Sequence, residues 1–321
     1  ELIEAAGRHQ YGLQAAGTEA YVGVVRARAG DAPVVSIDFR NAFNAMRRSE
    51  ILRAVHDHFP ELWPAVRWMY ARPVCTTYSG GPDDDDPLVV RVAEGTVQGG
   101  PEGSAVFAIA QRATLDRLRV EHPDVAVDSN HDDAHLSAPT VPALLAAFAA
   151  LKQRSKAELG LDLAAEKCVL YERVETPGAR DAAAKLGIAY TTDGLVVGGS
   201  PVGTGAFVEA ELEKAALRAV GTADSFRAAY RAAASNGREL FTLQRIYTAI
   251  RLCCPSQLTH LLRTVPPGEE VSRMAASVDN RLYAVVSDLL ALPSDNAADP
   301  FGAYAARARA VTFLAIREGG C

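Results

Sequence analysis

The sequence lacks any apolar run of the roughly 18 residues that a membrane-spanning helix needs. Its amino terminus lacks the charged, apolar and small-residue order of a secretory signal. It contains no internal repeat and no low-complexity tract. These absences predict a soluble protein or soluble fragment with no membrane partner. The chain begins at Glu1 and ends at Cys321 in a way that looks cut, so we expect a piece of a longer protein.

Cysteine and positive charge are also scarce. Five cysteines show no paired CxxC spacing, and so few, odd in number, argue against a disulfide framework and for a reducing, intracellular compartment. A net charge of −6 argues against a dedicated nucleic-acid binder, which normally presents a basic surface. The balance is uneven, because residues 1–203 carry net −7 and residues 204–265 carry net +3.

What is present is an ordinary globular composition, 49% apolar and 22% charged over 321 residues. The β-branched run Val34–Phe39 predicts a strand, and Asp38 falls at its carboxyl end, a usual place for a catalytic carboxylate. Asp38 could equally cap the helix that begins near Asn41. From residue 46 to residue 71 the period is helical, and it predicts that Trp63 and Trp68 lie in the core.

A second acidic position is the pair Asp132-Asp133, at the tip of a predicted hairpin. Two adjacent carboxylates repel each other unless a cation neutralises them, which makes the pair informative. Four aspartates at 83–86 could also bind a cation, but a solvated loop is the favoured interpretation.

Three further segments complete the pattern. A glycine-rich loop, 94–101, runs into a helix predicted from Ser104 to Leu118, and such loops let a ligand approach the backbone. After a helix predicted from Val141 to Leu159 comes Lys167, which by itself is most simply a surface cation. A second hairpin, 194–203, is rich in glycine.

Beyond Thr204 the sequence becomes rich in Ala, Leu and Arg, and its periodicity predicts helices at 207–220, 222–234, 238–252, 270–292 and 301–314. Four arginines lie on helix faces that would follow a phosphate backbone, although solvated helix faces explain them equally well: Arg227, Arg231, Arg238 and Arg245.

The order of these signals resembles reverse transcriptases, in particular those of non-LTR retrotransposons. Residues 38–43 (Asp-Phe-Arg-Asn-Ala-Phe) look like the first palm motif, and Glu94-Gly95 with 98–101 (Gln-Gly-Gly-Pro) look like the second. Residues 130–133 (Asn-His-Asp-Asp) correspond to the aromatic-x-Asp-Asp signature. Lys167 stands at the fourth motif's lysine, and residues 199–203 (Gly-Ser-Pro-Val-Gly) are similar to the primer grip.

The resemblance implies an α+β fold: a right-hand polymerase palm, mostly an antiparallel sheet with helices on one face, followed by an all-α thumb. It implies partial fingers at 1–32, the palm at 33–203, the thumb at 204–265 and a carboxyl-terminal helical extension at 266–321.

The resemblance also implies the chemistry. An RNA-directed DNA polymerase would extend a DNA primer on an RNA template with dNTPs and two Mg²⁺ ions, for which Mn²⁺ can substitute. Catalysis is expected from Asp38, Asp132, Asp133 and Lys167, with Asp38, Asp132 and the Phe39 carbonyl as metal ligands. Phe39, Phe43, Gln98 and Gly99 would line the nucleotide, with Phe43 excluding a 2′-hydroxyl. Nucleic acid would be contacted by Gly199, Ser200, Pro201 and the four arginines.

A rival hypothesis is a domesticated reverse-transcriptase-like protein, a structural or RNA-binding subunit of a ribonucleoprotein assembly such as a ribosome, with other protein subunits as partners. The acidic balance, Asn130 in place of the aromatic residue, and Gly100 and Glu102 in the second motif favour it. The intact carboxylates favour the enzyme. A mobile element predicts a nuclear or cytoplasmic location, and a domesticated subunit an organellar one.

Overall fold

The computed structural model describes residues 1–78, 88–97, 100, 102–235 and 242–290. The chain divides into two compact units, Glu1–Phe207 and Val208–Cys321. None of the described helices is long and apolar enough to cross a membrane.

The first unit is built on a five-stranded mixed sheet of order β4-β5-β1-β6-β7. Its strands are β1 (Val34–Ile37), β4 (Ala126–Asn130), β5 (Asp133–Ser137), β6 (Val169–Tyr171) and β7 (Ala189–Thr191). Neighbouring strands are antiparallel except β6 and β7, which are parallel. Two separate hairpins pair β2 (Val74–Tyr78) with β3 (Leu88–Val92) and β8 (Gly194–Val197) with β9 (Ser200–Gly203).

The helices of this unit are α1 (Leu2–Ala6), α2 (Gly17–Asp31), α3 (Ala42–Ala45), α4 (Arg48–His58), α5 (Trp63–Tyr70), α6 (Gly103–Glu121), α7 (Val141–Arg154) and α8 (Ala179–Lys185). A π-helical turn, Ser155–Leu159, continues α7, and short 3₁₀ turns occupy Tyr11–Leu13 and Ala165–Lys167.

The sheet has a core on each face because its side chains alternate. Val35 and Ile37 of β1 enter the main core with Phe107 of α6 and Phe148 of α7. Val34, on the other face, joins a smaller core formed by α2, Tyr171 of β6 and the β8–β9 hairpin. One helix therefore packs on the face opposite the main helical layer.

The second unit is helical in its described part. Its helices are α9 (Gly205–Ser235), which begins three residues before the unit boundary, α10 (Leu243–Cys253), α11 (Ser256–Thr264) and α12 (Glu269–Leu289). All four share one apolar core, which includes Ala219, Ile250, Leu258 and Val278.

The predicted fold class is confirmed: the structure is α+β, with a mixed sheet followed by a helical region. The helices predicted at 207–220 and 222–234 form the single helix α9, and α12 lies in the same core as the helices before it. The fingers, palm, thumb and extension remain predictions, and the helix predicted at 301–314 lies outside the described residues.

One prediction about the core is wrong. Trp63 is half-buried against the main core, but Trp68 is 86% exposed. Val66 and Tyr70 supply the buried face of α5 instead, and the helical period alone does not say which face turns inward.

Candidate active site

One end of the sheet collects the predicted carboxylates. The β1–β5 register pairs Ile37 with Ala134, and continued by one residue it sets Asp38 opposite Asp133. Asn130 of β4 pairs with Asp133 from the other side. Three neighbouring chain segments thus place polar residues on one face at one edge of the sheet.

Asp132 lies in the two-residue turn that joins β4 to β5. The first residue of this turn, His131, is left-handed, with φ of 58°. Gln10 holds it: the His131 amide donates to Gln10 Oε1 at 2.7 Å, and Gln10 Nε2 donates to the His131 carbonyl at 3.2 Å. Because Gln10 is only 3% exposed, these bonds are shielded from water and fix the turn firmly.

A buried polar row continues the carboxylate face beneath the turn. Asp128 of β4, 1% exposed, accepts from Arg28 Nε at 2.7 Å. Next to it, His135 Nδ1 and the Tyr21 hydroxyl are hydrogen-bonded at 2.5 Å. Burial lowers the pKa of His135 to about 3, so the ring is neutral. Helix α2, which carries Tyr21 and Arg28, thereby anchors β4 and β5, the two strands that flank the turn.

The carboxylate edge carries excess negative charge. The pKa of Asp133 is raised to about 6, first by desolvation and then by the charges of Asp132 and Asp38. A cation placed among these three carboxylates would offset their repulsion.

Asp38 is also positioned from the β6 side. Its amide donates to the Cys168 Sγ at 3.4 Å, and its carbonyl accepts from the Ala164 amide at 2.8 Å. Lys167 Nζ lies 3.8 Å from Asp38 Oδ1. The side chains of Lys167 and Asp38 are 65% and 43% exposed, so solvent screens this pair and it adds little to stability. The structure therefore brings Lys167 to the same edge as the carboxylates.

Phe39 and Phe43 occupy the start of the following segment. Phe39 is bridged to Leu163 through bonds made by the flanking residues, so its own carbonyl takes no part in the bridge. Phe43 packs its ring on Phe107 at 4.8 Å. The Phe43 carbonyl accepts from the Thr96 amide at 2.6 Å, which ties the glycine-rich loop to this segment.

Gly95 of that loop is required by its surroundings. It has φ of 69°, and a Cβ there would lie 2.3 Å from the Asn44 backbone and the Phe43 oxygen. The predicted nucleotide-lining residues that follow, Gln98 and Gly99, lie outside the described residues.

The β8–β9 hairpin turns at Gly198-Gly199, both left-handed. Gly199 is exposed, but Ser200 and Pro201 are buried. Arg26 of α2 donates to Ser200 Oγ at 3.3 Å and to the Pro201 carbonyl at 3.2 Å. Of the three residues predicted to contact nucleic acid here, only Gly199 is presented at the surface.

In the second unit, two of the predicted phosphate contacts are committed to an ion pair. Arg231 lies 2.7 Å and Arg227 3.3 Å from the same carboxylate, Asp288. This pairing favours the solvated-face interpretation for both. Arg245 is exposed near the start of α10. Arg238 lies outside the described residues.

The metal expectation rests on donor chemistry. Within the described ranges, no group of three or more His, Cys, Asp or Glu side chains is arranged to hold a metal ion. The predicted ligands are two carboxylates and one carbonyl, the hard oxygen donors that suit Mg²⁺, an ion that keeps several waters. The raised pKa of Asp133 and the buried Asn130 Oδ1, which no described residue satisfies, fit a cation at this edge.

Sequence reasoning missed the residues that hold this edge in place. Gln10 contacts a residue 121 positions away, and the Tyr21–His135 and Arg28–Asp128 pairs span 114 and 100 positions. No local pattern marks such partners. The contact of Cys168 with the Asp38 amide is not predicted either, because the sequence shows Cys168 only as the neighbour of Lys167.

Comparisons with known proteins give little beyond this geometry. No protein-family model and no curated protein matches the sequence. Among solved structures, the chain is similar to telomerase from Candida albicans, solved in complex with a TWJ fragment of telomeric RNA, at 11% identity and a TM-score of 0.38. The match covers 96% of this chain and 53% of that one, so the chain spans about half its length. A similarity at this level establishes neither family nor activity.

Proposed function

We propose that this chain is the core of an RNA-directed DNA polymerase of the non-LTR retrotransposon type, which extends a DNA primer on an RNA template. The observation that carries the proposal is the sheet edge. Strand β1 ends one residue before Asp38 and pairs with β5, which begins at Asp133, and Asp132 lies in the adjoining turn. Lys167, 3.8 Å from Asp38, supports it.

Each residue of the edge has a task in nucleotidyl transfer. Asp38, Asp132 and the Phe39 carbonyl would hold two Mg²⁺ ions, and Asp133 would add negative charge beside them. When bound, the ions supply activation of the primer 3′-hydroxyl and neutralisation of the phosphate charge. Lys167 would donate a proton to the departing pyrophosphate or stabilise its charge.

The elements around the edge would position the substrates. The Phe43 ring packs on Phe107, and the Phe43 carbonyl accepts from the Thr96 amide. A ring held in this way is suited to excluding a ribose 2′-hydroxyl. Gln98 and Gly99 would line the nucleotide and template. Gly199 would contact the primer through its backbone, since Ser200 and Pro201 are buried.

The rival function, an RNA-binding or structural subunit of a ribonucleoprotein assembly, gains one structural observation beyond those from the sequence. Arg227 and Arg231 pair with Asp288 rather than standing free for a phosphate backbone. A scaffold, however, gains nothing from repelling carboxylates, which are retained at the sheet edge.

Primer extension separates the two functions. The intact chain is incubated with a DNA primer annealed to an RNA template, dNTPs, and Mg²⁺ or Mn²⁺. Asp132→Asn is the test variant, and Asp124→Asn, an exposed loop carboxylate, is the matched control. The polymerase predicts extension that Asp132→Asn abolishes and Asp124→Asn retains. No extension with either metal, or extension that survives Asp132→Asn, would favour the subunit.

A further inference from the structure

Helix α5 carries a surface that the polymerase chemistry does not use. Two rows of residues four apart, 63-67-71 and 64-68-72, border a shallow pocket of about 490 Å³. Its lining contains two indoles, two guanidinium groups and no carboxylate: Trp63, Pro64, Arg67, Trp68, Ala71 and Arg72. We call this the α5 surface.

The two tryptophans of this surface have different roles. Trp63 is half-buried, with His56 edge-on at 5.6 Å and the Arg67 guanidinium over its ring at 5.0 Å, so its ring is occupied. Trp68 is 86% exposed and has no ring partner among the described residues. An indole left in water contributes almost nothing to folding, because it buries no area. Trp68 is therefore available to a partner.

The charge of the surface indicates what kind of partner. Arg67 and Arg72 are exposed and make no ion pair within the described part of the chain, although residues 1–203 are acidic as a whole. Proteins hold single-stranded nucleic acid by stacking its bases on aromatic rings and by contacting its phosphates with cationic side chains. The exposed Trp68 ring, beside two guanidinium groups that make no ion pair within the described residues, has this composition.

The α5 surface also adjoins the glycine-rich loop. The Tyr70 hydroxyl, at the end of α5, donates to Glu102 Oε1 at 2.5 Å and accepts from the Val97 amide at 3.4 Å. Arg48 bridges the same two segments, donating to the Gly95 carbonyl at 3.0 Å and to the Arg72 carbonyl at 2.9 Å. The loop that would line the template is thus joined directly to the helix that carries Trp68.

We propose that the α5 surface binds single-stranded RNA, with one base stacked on Trp68 and the neighbouring phosphates contacted by Arg67 and Arg72. The choice of RNA rests on the proposed function, in which an unpaired template strand passes the glycine-rich loop. The stacking itself requires no catalysis.

The test is an RNA-binding titration of the whole chain in EDTA, without dNTPs. The probe is a fluorescein-labelled 15-nucleotide oligouridylate, which is unstructured, and the readout is anisotropy. Trp68→Ala should weaken binding about tenfold, since one base–aromatic stack is lost, whereas Trp68→Phe keeps a ring and should stay within about threefold. Val120→Ala, which truncates an 81%-exposed residue on α6, should change nothing. Arg72→Gln should lower the salt dependence of binding.

Three results would overturn the proposal. The first is equal RNA affinity of the Trp68→Ala chain and the unchanged chain, and the second is that Trp68→Ala weakens binding of a 15-base-pair RNA duplex as much as it weakens binding of the single strand. The third is self-association that depends on Trp68, detected by light scattering, without any loss of RNA affinity. The last result would make the surface a protein interface. Because the assay contains neither metal nor dNTPs, a chain without polymerase activity can still pass it, and an active polymerase can still fail it.

Discussion

The charge at the sheet edge makes a quantitative prediction about Asp133. Its pKa is about 6 against the ordinary 3.8, and the full difference corresponds to about 3 kcal/mol of destabilisation when the group is ionised in the folded chain. Asp133 keeps exposed surface, so solvent screening reduces this to about 1 kcal/mol. Replacing Asp133 by Asn removes the ionisable group at nearly constant shape, and the variant should be more stable than the unchanged chain by about that amount at pH 7.5.

The stability difference between Asp133→Asn and the unchanged chain should depend on pH in a definite direction. A carboxyl whose folded pKa is raised holds its proton more tightly in the folded state, so its destabilising effect is complete above pH 6 and fades as pH falls toward 3.8. The advantage of Asp133→Asn should therefore shrink across that window and nearly vanish below it. His135, whose pKa is lowered, acts in the opposite direction, but it is present in both chains and cancels in the difference.

The assay is urea unfolding followed by tryptophan fluorescence. The chain has two tryptophans, Trp63 and Trp68, and both lie in the first unit, so the signal reports the unit that contains Asp133. Asp124→Asn serves as the control for loss of a carboxylate. A destabilising charge on Asp133 is refuted if Asp133→Asn is no more stable than the unchanged chain at pH 7.5, or if its advantage does not depend on pH.

Three further predictions concern the residues around the edge. Gln10→Ala removes both bonds to His131 and should destabilise the first unit by about 2 kcal/mol in the same urea assay, whereas the exposed Gln153→Ala should not; equal behaviour of the two would mean that Gln10 does not hold the turn. Tyr21→Phe removes the buried hydroxyl bonded to His135 and should cost about 1–3 kcal/mol; a neutral result would show that this bond contributes nothing. Lys167→Ala should leave stability within about 0.5 kcal/mol, because its pair with Asp38 is exposed, but should slow primer extension about 100-fold; unchanged extension would return Lys167 to a surface cation.

The individual strands and helices could be predicted because their signals are local, whereas the fold class followed from the resemblance. The strand at Val34–Ile37 follows from a β-branched run, and α6 and α7 follow from helical periods, with Thr140 capping α7 through the Ala143 amide. The positions of Asp38 and Asp132-Asp133 at strand ends follow from the same local patterns. Local patterns do not predict that these carboxylates lie close together, because their closeness depends on β1 lying between β5 and β6 in the sheet.

The parts that could not be predicted depend on contacts between distant segments. Gln10 lies in a stretch without periodicity, and only the folded chain brings it to His131. Arg227 has the spacing expected of a phosphate contact, yet its guanidinium is paired with Asp288, 61 positions later. Tryptophan is usually buried in a core, yet Trp68 lies on the outer face of α5.

The central claim is that Asp38 and Asp132 hold divalent cations, with Asp133 adding negative charge beside them. Mn²⁺ binding to the whole chain, followed by the loss of the free-ion electron paramagnetic resonance signal, tests it directly, with Asp38→Asn, Asp132→Asn and the control Asp124→Asn measured in parallel. We expect the unchanged chain and Asp124→Asn to bind Mn²⁺ alike, and both edge variants to lose at least about tenfold in affinity. Equal Mn²⁺ binding by all four chains would show that Asp38 and Asp132 are not the ligands of the ion.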